Sequence, residues 1–207
     1  MKGGAGRARG AVIHSAPMSN DFLPSPEALA LAITALRAGG VIAYPTEAVW
    51  GLGCDPFNAG AVERVLALKG RSEGKGLILI AADVAQVEPW LIALTPAQKA
   101  AALATWPGPC TWVVPAPSAP RWLRGDHASL AIRVSAHPGV QALCRAWGGA
   151  LVSTSANRSG EPPLAGPAAL HDAFGERLAC ILPGVLGGDA KPSEIRDAVS
   201  GAVLRSR

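Results

Sequence analysis

Residues 41–81 contain the side chains whose types and spacing are best suited to chemistry. A predicted strand runs into the turn Pro45-Thr46-Glu47, and a short predicted helix then ends in Lys69, with Arg71 and Lys75 close behind. A hydroxyl and three cations at the mouth of one turn could hold a polyphosphate, because phosphate chemistry depends on charge neutralisation and positioning. The segment therefore predicts a cationic concave cleft and adenylate chemistry.

A second candidate site is the run Ser-Thr-Ser-Ala-Asn-Arg-Ser-Gly at residues 153–160. It follows a predicted strand at residues 150–154, and α/β proteins place ligands in loops that leave the carboxyl ends of strands. Its hydroxyl and amide side chains are candidate ligand contacts. The alternative is a turn held together by its own Ser and Asn side chains. The nearby cations favour the binding interpretation.

Helices and strands that alternate along the chain must position these residues. Hydroxyl caps, proline at the first helical position, and glycine after the last turn mark the helix ends. Helices are predicted from residue 26 to the Gly39-Gly40 pair and at 59–69, after 83, from 96, at 138–147 and at 166–174. Strands are predicted at 41–44, 77–81, 111–115, 130–134, 150–154 and 180–182. Residues 112–134 contain two adjacent strands without a helix, so the pattern predicts a single α/β domain with a twisted mixed sheet, parallel and antiparallel, and packed helices.

Composition places the chain among ordinary globular proteins. With 207 residues and 49% hydrophobic content it can bury one core. A net charge of +4 permits an anionic partner without requiring one. Neither a run of 18 apolar residues nor a secretory signal is present, which predicts a cytoplasmic enzyme without membrane contact. The cysteines are predicted to be reduced and mostly buried, since none form a close pair: Cys54, Cys110, Cys144 and Cys180.

Standard catalytic and metal-binding motifs are absent from the sequence, which has no P-loop, no dinucleotide fingerprint and no nucleophile elbow. The histidines lack metal-ligand spacing and are interpreted as surface or capping residues: His14, His127, His137 and His171. Glu47 could contact a metal or a substrate amine, or it could stabilise its turn. No metal-ligand residues are therefore predicted.

The amino terminus differs in composition from the remainder of the chain. Residues 1–24 are rich in Gly, Ala and Arg at their start and are predicted to form a flexible extension, with the catalytic domain at residues 25–207. We expect residues 1–17 to be dispensable, and Met18 could itself be a start. A basic arm that recruits RNA is the alternative.

Several blocks, in a familiar order, resemble the YrdC-like threonylcarbamoyl-AMP synthases. They are YPTEAVWGLGCDP, the Lys-x-Arg of Lys69 and Arg71 followed by Lys75, WPGPCTWV, SLAIRV, LVSTSAN and PSEIRD. The resemblance runs from about residue 28 to 205 and is to the short form of the family. It implies a YrdC-like fold and a nucleotidyltransferase that converts L-threonine, bicarbonate and ATP to threonylcarbamoyl-AMP and pyrophosphate. It also implies Mg²⁺ carried with ATP, and a downstream tRNA-modifying threonylcarbamoyl transferase complex as partner.

The resemblance also implies roles for single residues. The amino-acid side is assigned to Thr46, Lys75, Ser153, Ser155 and Ser193, and the nucleotide side to Lys69, Arg71, Thr111, Asn157 and Arg205. Lys69, Arg71 and Arg133 are the candidate catalytic residues. Arg133 could orient the carbamate or carboxylate through its bidentate fork, or it could form a buried structural ion pair.

The chain departs from the family pattern at two places, and two other functions are alternatives. Ser72 stands where the family often has proline, and residues 77–80 lack the histidine that commonly ends this strand in longer relatives. An RNA-binding module without catalysis is the main alternative, although stacking aromatics and a basic stripe are not evident. A second alternative is a carbamoyl-transfer domain of a maturation factor. Weak RNA binding could also accompany the enzyme.

Overall fold

The computed structural model describes residues 22–189 and 191–207, so His14 and most of the proposed 1–24 extension lie outside the described residues. Six α-helices and nine strands occur in this part of the chain. The helices are α1 (Pro26–Arg37), α2 (Ala59–Lys69), α3 (Pro96–Leu103), α4 (Arg121–Arg124), α5 (Pro138–Trp147) and α6 (Pro167–Phe174). The strands are β1 (Ile42–Pro45), β2 (Trp50–Gly53), β3 (Ile78–Ala81), β4 (Cys110–Pro115), β5 (Ser129–Val134), β6 (Leu151–Ser155), β7 (Cys180–Ile181), β8 (Glu194–Asp197) and β9 (Val203–Arg205).

All nine strands join one sheet in the order β7-β1-β2-β6-β3-β5-β4-β8-β9. The pairs β1/β7, β3/β5 and β4/β8 are parallel and the other neighbours are antiparallel. The prediction of a single α/β domain with a mixed sheet is therefore confirmed. Some neighbouring strands are far apart in sequence, such as β2 and β6 or β4 and β8, so the sheet brings distant segments of the chain to one surface.

The faces of the sheet differ in chemistry because successive side chains of a strand point to opposite sides. On β5, Leu130, Ile132 and Val134 are buried in the larger core, with Leu79 of β3. The alternate residues of β5, including Ala131 and Arg133, are only partly buried. One part of this second face packs under α1 and α5 in a smaller core. The remainder is open and carries small or polar side chains.

The helix ends follow local capping chemistry. Ser25 accepts a hydrogen bond from the Ala28 N–H, and Thr95 forms a capping box with Gln98. Gly70 and Gly148 end α2 and α5 with positive φ, where glycine has no Cβ penalty. The bounds predicted for α2 and α5 agree with the structure because these signals act within a few residues.

Four elements were missed by the sequence analysis. Strand β2 contains Gly51 and Gly53, which have low strand propensity, and β8 and β9 are short and rich in charged residues. The four-residue helix α4 lies in the connection between β4 and β5, which was read as strands without a helix. Strands β2 and β8 each pair with one strand that is distant in sequence, β6 and β4, and within the described residues β9 pairs only with β8.

Substituting Gly53 with alanine should destabilise the fold by about 2 kcal/mol, in the range for overpacking a core. A Cβ at this position would lie 2.7 Å from Tyr44 Cε1 and 2.7 Å from the Val152 carbonyl oxygen. Tyr44 is 1% exposed, and a backbone oxygen in a sheet cannot move cheaply. Urea unfolding measures the loss. Gly60→Ala on α2 is the matched control, because its Cβ would meet only an ordinary 3.5 Å contact. Equal stability of the two variants would contradict the packing argument.

Candidate functional site

A cleft of about 590 Å³ lies on the open face of the sheet. Its floor is formed by alternate residues of the central strands, among them Ile78, Ala131 and Ser153. Its walls are the Thr46 turn, the loop after α2, the end of β6 and the segment before β8. Small floor residues such as Ala131 and Ser153 leave space above them, so the cleft follows from the alternating pattern of the strands. Its volume lies in the range of small-ligand sites, about 300–1,000 Å³.

Basic residues outnumber acidic ones in the described lining of the cleft. The Lys and Arg residues are Arg71, Lys75, Arg124, Arg133, Lys191 and Arg205, and the carboxylates are Glu47, Asp189 and Asp197. His127 also lies at the cleft. Such a lining favours an anionic ligand.

Arg71 is held at the cleft wall by its own loop. Its Nη2 donates to the Gly76 carbonyl at 2.9 Å, while its Nε is buried and has no hydrogen-bond partner within the described protein. Burial lowers the pKa of Arg71, but an arginine stays charged at neutral pH. A buried N–H without an acceptor carries a desolvation cost, which an anion bound by Arg71 could relieve.

Lys69 is buried rather than part of an exposed rim, and this corrects the sequence prediction. The residue is only 3% exposed and does not line the cleft. Its Nζ donates to the Ser155 carbonyl, to the Asn157 carbonyl at 2.9 Å and to Asn157 Oδ1 at 3.2 Å. Burial, and then the charge of Arg71, lower the pKa of Lys69 to about 8. Lys69 therefore organises the 153–160 loop from behind.

Asn157 is also committed to this loop rather than directed into the cleft. Its Nδ2 donates to the carbonyls of Arg158 and Glu161 at 2.9 and 2.6 Å. With its Oδ1 bonded to Lys69, the amide has no free group for a nucleotide in this arrangement. Ser153 and Ser155 do line the cleft. The loop thus combines the two interpretations offered for it, since an internally bonded turn presents hydroxyls to the cleft.

Thr111, Ser193 and Arg205 form one cluster, although the sequence analysis divided them between two substrates. The Thr111 and Ser193 hydroxyls lie 3.0 Å apart, and Arg205 Nη2 donates to the Ser193 carbonyl at 2.7 Å. Thr111 is fully buried and does not line the cleft, so a direct nucleotide contact is revised to support of Ser193. Ser193 and Arg205 remain at the surface of the cleft.

Arg133 and Glu47 form the ion pair that was one of the two alternatives for Arg133. Arg133 Nη2 donates to Glu47 Oε2, and both side chains are 12% exposed. The other carboxylate oxygen accepts from Ser135 Oγ at 2.8 Å and from the Ala136 N–H at 3.0 Å. Burial raises the pKa of Glu47, but the Arg133 charge and these hydrogen bonds outweigh burial and hold it below its ordinary value. Arg133 nevertheless lines the cleft, and its buried Nε has no partner within the described protein.

Other sequence predictions can be placed as well. His137 caps α5 by accepting from the Val140 N–H, in line with a capping role, whereas His127 lies exposed at the cleft. Cys54, Cys110 and Cys144 are buried and free.

No group of three or more His, Cys, Asp or Glu residues in the described chain could hold a metal ion. No helix in residues 22–189 or 191–207 combines the length and apolar character needed to cross a bilayer.

The structure therefore brings eight of the eleven predicted site residues to the cleft. They are Thr46, Arg71, Lys75, Arg133, Ser153, Ser155, Ser193 and Arg205. Lys69, Thr111 and Asn157 lie behind it. Sequence reasoning missed Glu47 as the partner of Arg133. The only sequence signal was the position of Glu47 in the Pro-Thr-Glu turn, which does not reveal a partner 86 residues away.

Comparison with known proteins gives consistent matches. The family model for Sua5, YciO and YrdC, which carries the description telomere recombination, matches residues 34–206. The threonylcarbamoyl-AMP synthase of Stenotrophomonas maltophilia (strain K279a) is 58% identical over 178 residues, or 84% of this chain and 96% of the relative. The protein of the same name from Chromohalobacter salexigens is 56% identical over 178 residues, or 86% and 96% of the two chains.

Solved structures agree on the fold. P. abyssi Sua5 complexed with L-threonine has a TM-score of 0.73 and 29% identity over 82% of this chain. The match covers 50% of the P. abyssi chain, so the present chain spans about half of that protein. E. coli YciO has a TM-score of 0.78 over 88% of this chain and 90% of its own, and its 24% identity supports the fold alone.

Proposed function

This chain belongs to the Sua5, YciO and YrdC family, and we propose that it converts L-threonine, bicarbonate and ATP to L-threonylcarbamoyl-AMP and pyrophosphate. The observation that carries the proposal is a cleft with two buried arginine Nε groups, of Arg71 and Arg133, that lack acceptors within the described protein. Two such donors in one cleft suit a reaction that holds two anions together. The relatives named threonylcarbamoyl-AMP synthase match over nearly their whole length.

The proposed chemistry requires positioning rather than a covalent nucleophile. Bicarbonate takes up a proton and loses water to give carbon dioxide. The threonine amine then adds to the carbon dioxide and releases a proton, which gives a carbamate. A carbamate oxygen then attacks the α-phosphorus of ATP. The bond between this phosphorus and the oxygen that bridges to the β-phosphate breaks, and pyrophosphate leaves. Cations that neutralise charge developing on the phosphate lower the barrier, and alignment of the two anions supplies much of the remaining rate. The enzyme is thus a nucleotidyltransferase.

Arg71 and Lys75 are proposed to bind the phosphates of ATP. They lie on one loop, and both side chains line the cleft, where Lys75 is exposed. Lys69 and Asn157 are proposed to act on ATP only indirectly, by fixing the loop that carries Ser155. Arg205 is proposed to contact the nucleotide from the opposite wall while it holds Ser193.

The amino-acid substrate is assigned to the Thr46 side of the cleft. The Thr46 hydroxyl donates to the Val49 carbonyl at 2.7 Å, so it can only accept a hydrogen bond from a ligand. An acceptor suits the substrate amine. Ser153, Ser155 and Ser193 supply hydroxyls that can read the threonine side chain or its carboxylate.

Mg²⁺ and the biological partners are further parts of the proposal. Mg²⁺ usually keeps several waters and binds through phosphate oxygens, so we expect it to arrive with ATP. The product is a reactive mixed anhydride, which suits transfer to tRNA by a downstream threonylcarbamoyl transferase complex. Such a role would place the enzyme in the cytoplasm. The relatives favour this enzyme over an RNA-binding module without catalysis.

A direct assay tests the proposed function. Purified protein is incubated with ATP, Mg²⁺, threonine and ¹⁴C-bicarbonate, and pyrophosphate and labelled adenylate are measured. Both products should form in equal amounts and only when all three substrates are present. Pyrophosphate release without threonine, or no labelled adenylate, would contradict the proposal.

The enzyme should prefer threonine over valine by at least tenfold in kcat/KM. Valine has nearly the same shape but lacks the hydroxyl, and a site built to bond a hydroxyl is left with unpaired polar groups when the analogue binds. Competition between the two amino acids in the same assay measures the ratio. Serine is the control, because it keeps the hydroxyl and lacks the methyl group. Equal use of valine would show that the cleft hydroxyls do not read the side chain.

A further inference from the structure

Glu47 lies at the junction of three segments that form the cleft. It is 9% exposed, and its carboxylate accepts from Arg133, Ser135 and the Ala136 N–H at the end of β5. Its carbonyl also accepts from the Asp189 N–H at 2.9 Å. Both oxygens of the side chain are thus engaged by donors of the protein, which favours a supporting role for Glu47 over contact with a metal or a substrate amine.

The segment before β8 packs closely against Glu47. This segment comprises residues 183–189. The Gly187 N–H donates to the Thr46 carbonyl at 3.0 Å, and a Cβ on Gly187 would lie 2.9 Å from Glu47 Cα. His137 Nε2 lies 3.0 Å from the Val185 carbonyl oxygen on the same segment. Backbone contacts on both sides thus hold Glu47 in one place.

The fixed carboxylate determines how Arg133 can be used. The ion pair engages Nη2 and leaves the buried Nε–H without an acceptor, and Arg133 lines the cleft beside Thr46. Burial, and then the positive charge of Arg133, lower the pKa of Arg205 across the cleft. Arg133 and Arg205 repel each other, and Glu47 pairs only with Arg133. The positive charge that is left favours a second anion in the cleft.

We propose that Glu47 is a positioning residue that holds the Arg133 guanidinium so that its free N–H groups bind a planar carboxylate-type oxyanion in the cleft. The ligand is either the threonine carboxylate or the bicarbonate-derived carbamate, because both present the paired oxygens that an arginine fork matches. Phosphate is assigned elsewhere, to Arg71 and Lys75. This inference rests on the proposed function for the identity of the oxyanion.

Steady-state kinetics with each substrate varied separately test the proposal. Glu47→Gln keeps the size of the side chain but removes its charge, and it should raise the KM of threonine or bicarbonate at least tenfold. The KM of ATP should stay within twofold. The substrate whose KM rises identifies the oxyanion. Unchanged KM values for both, or an equal rise in all three, would overturn the proposal.

Glu194→Gln is the matched control. Glu194 also pairs with an arginine, Arg196, but neither residue lines the cleft. Its kinetics should match those of the wild type. If Glu194→Gln raised the same KM values, the effect of Glu47 would reflect general loss of charge and the proposal would fail.

A double variant separates positioning from folding. Glu47→Gln alone leaves a buried arginine without its counter-ion, which lowers the melting temperature. Glu47→Gln with Arg133→Gln removes both charges, so it should regain melting temperature and stay as inactive as Arg133→Gln. Effects that add, or activity that returns with stability, would show that Glu47 only supports the fold.

Threonine binding measured by calorimetry without ATP separates this proposal from the proposed function. If the wild type makes no adenylate, the proposed function fails, but threonine affinity can still be compared between the wild type and Glu47→Gln. A threonine affinity that is the same in the wild type and in Glu47→Gln, both without bicarbonate and at saturating bicarbonate, would overturn the role of Glu47.

Discussion

Replacing Arg71 with methionine should lower kcat/KM for ATP about 10²–10³-fold, the usual effect of removing one group that stabilises developing charge. Arg71 lines the cleft with a buried Nε that has no partner in the described protein, so its charge is available to phosphate. Its one strong contact to the fold is the 2.9 Å hydrogen bond to Gly76. The melting temperature should therefore change little. Adenylate formation and thermal unfolding measure the two effects.

Arg71→Lys and Arg145→Ala complete this experiment. Lysine restores the charge but not the planar fork, so Arg71→Lys should recover only part of the activity. Arg145 is an exposed arginine on α5 outside the cleft, and its removal should leave kcat/KM unchanged. Activity of Arg71→Met close to that of the wild type would show that Arg71 has no part in the mechanism.

Replacing Lys69 with methionine should lower activity at least 100-fold and also destabilise the protein by about 1–3 kcal/mol, the cost of leaving buried polar groups unsatisfied. Three oxygens of the 153–160 loop lose their donor, and the loop carries Ser155 at the cleft. Loss of both activity and stability distinguishes Lys69 from Arg71. Chemical denaturation and the adenylate assay provide the two measurements.

The pH dependence of stability gives an independent check on Lys69. Its pKa is about 8 in the folded protein, below its ordinary value of about 10.4 in an unfolded chain. Between these values the unfolded chain binds more protons, so this residue makes stability rise with pH. That contribution should be absent from Lys69→Met. Lys99→Met, which removes a partly exposed surface lysine paired with Glu88, should keep the wild-type profile. Identical profiles for all three proteins would contradict the buried position of Lys69.

Helix α5 shows how much of the fold local sequence could predict. Its cap at His137, Pro138 at its first position and Gly148 after its last turn all act within the helix itself. The predicted bounds therefore agree with the structure. Strand β2 shows the limit, because Gly51 and Gly53 give it no local strand signal. It exists because β1 and β6 pair with it on both sides.

The candidate site divides in the same way. The motifs placed Arg71, Thr46 and Ser155 in the site, and all three lie at the cleft. The motifs also suggested that Lys69 was an exposed cation, since it ends a helix beside a glycine. Its oxygen partners lie 86 and 88 residues further along the chain, and they determine that it is buried.

The sequence by itself determined the family and the mixed α/β class, and it singled out eight residues that lie at the cleft, because motif blocks, caps and alternating patterns are encoded within a few residues. The tertiary structure decided which side chains face the cleft and which support it. It paired Glu47 with Arg133 and Ser193 with Thr111 and Arg205. Such pairs depend on the order and register of strands, and a sheet sets both through contacts between distant segments that no local pattern records.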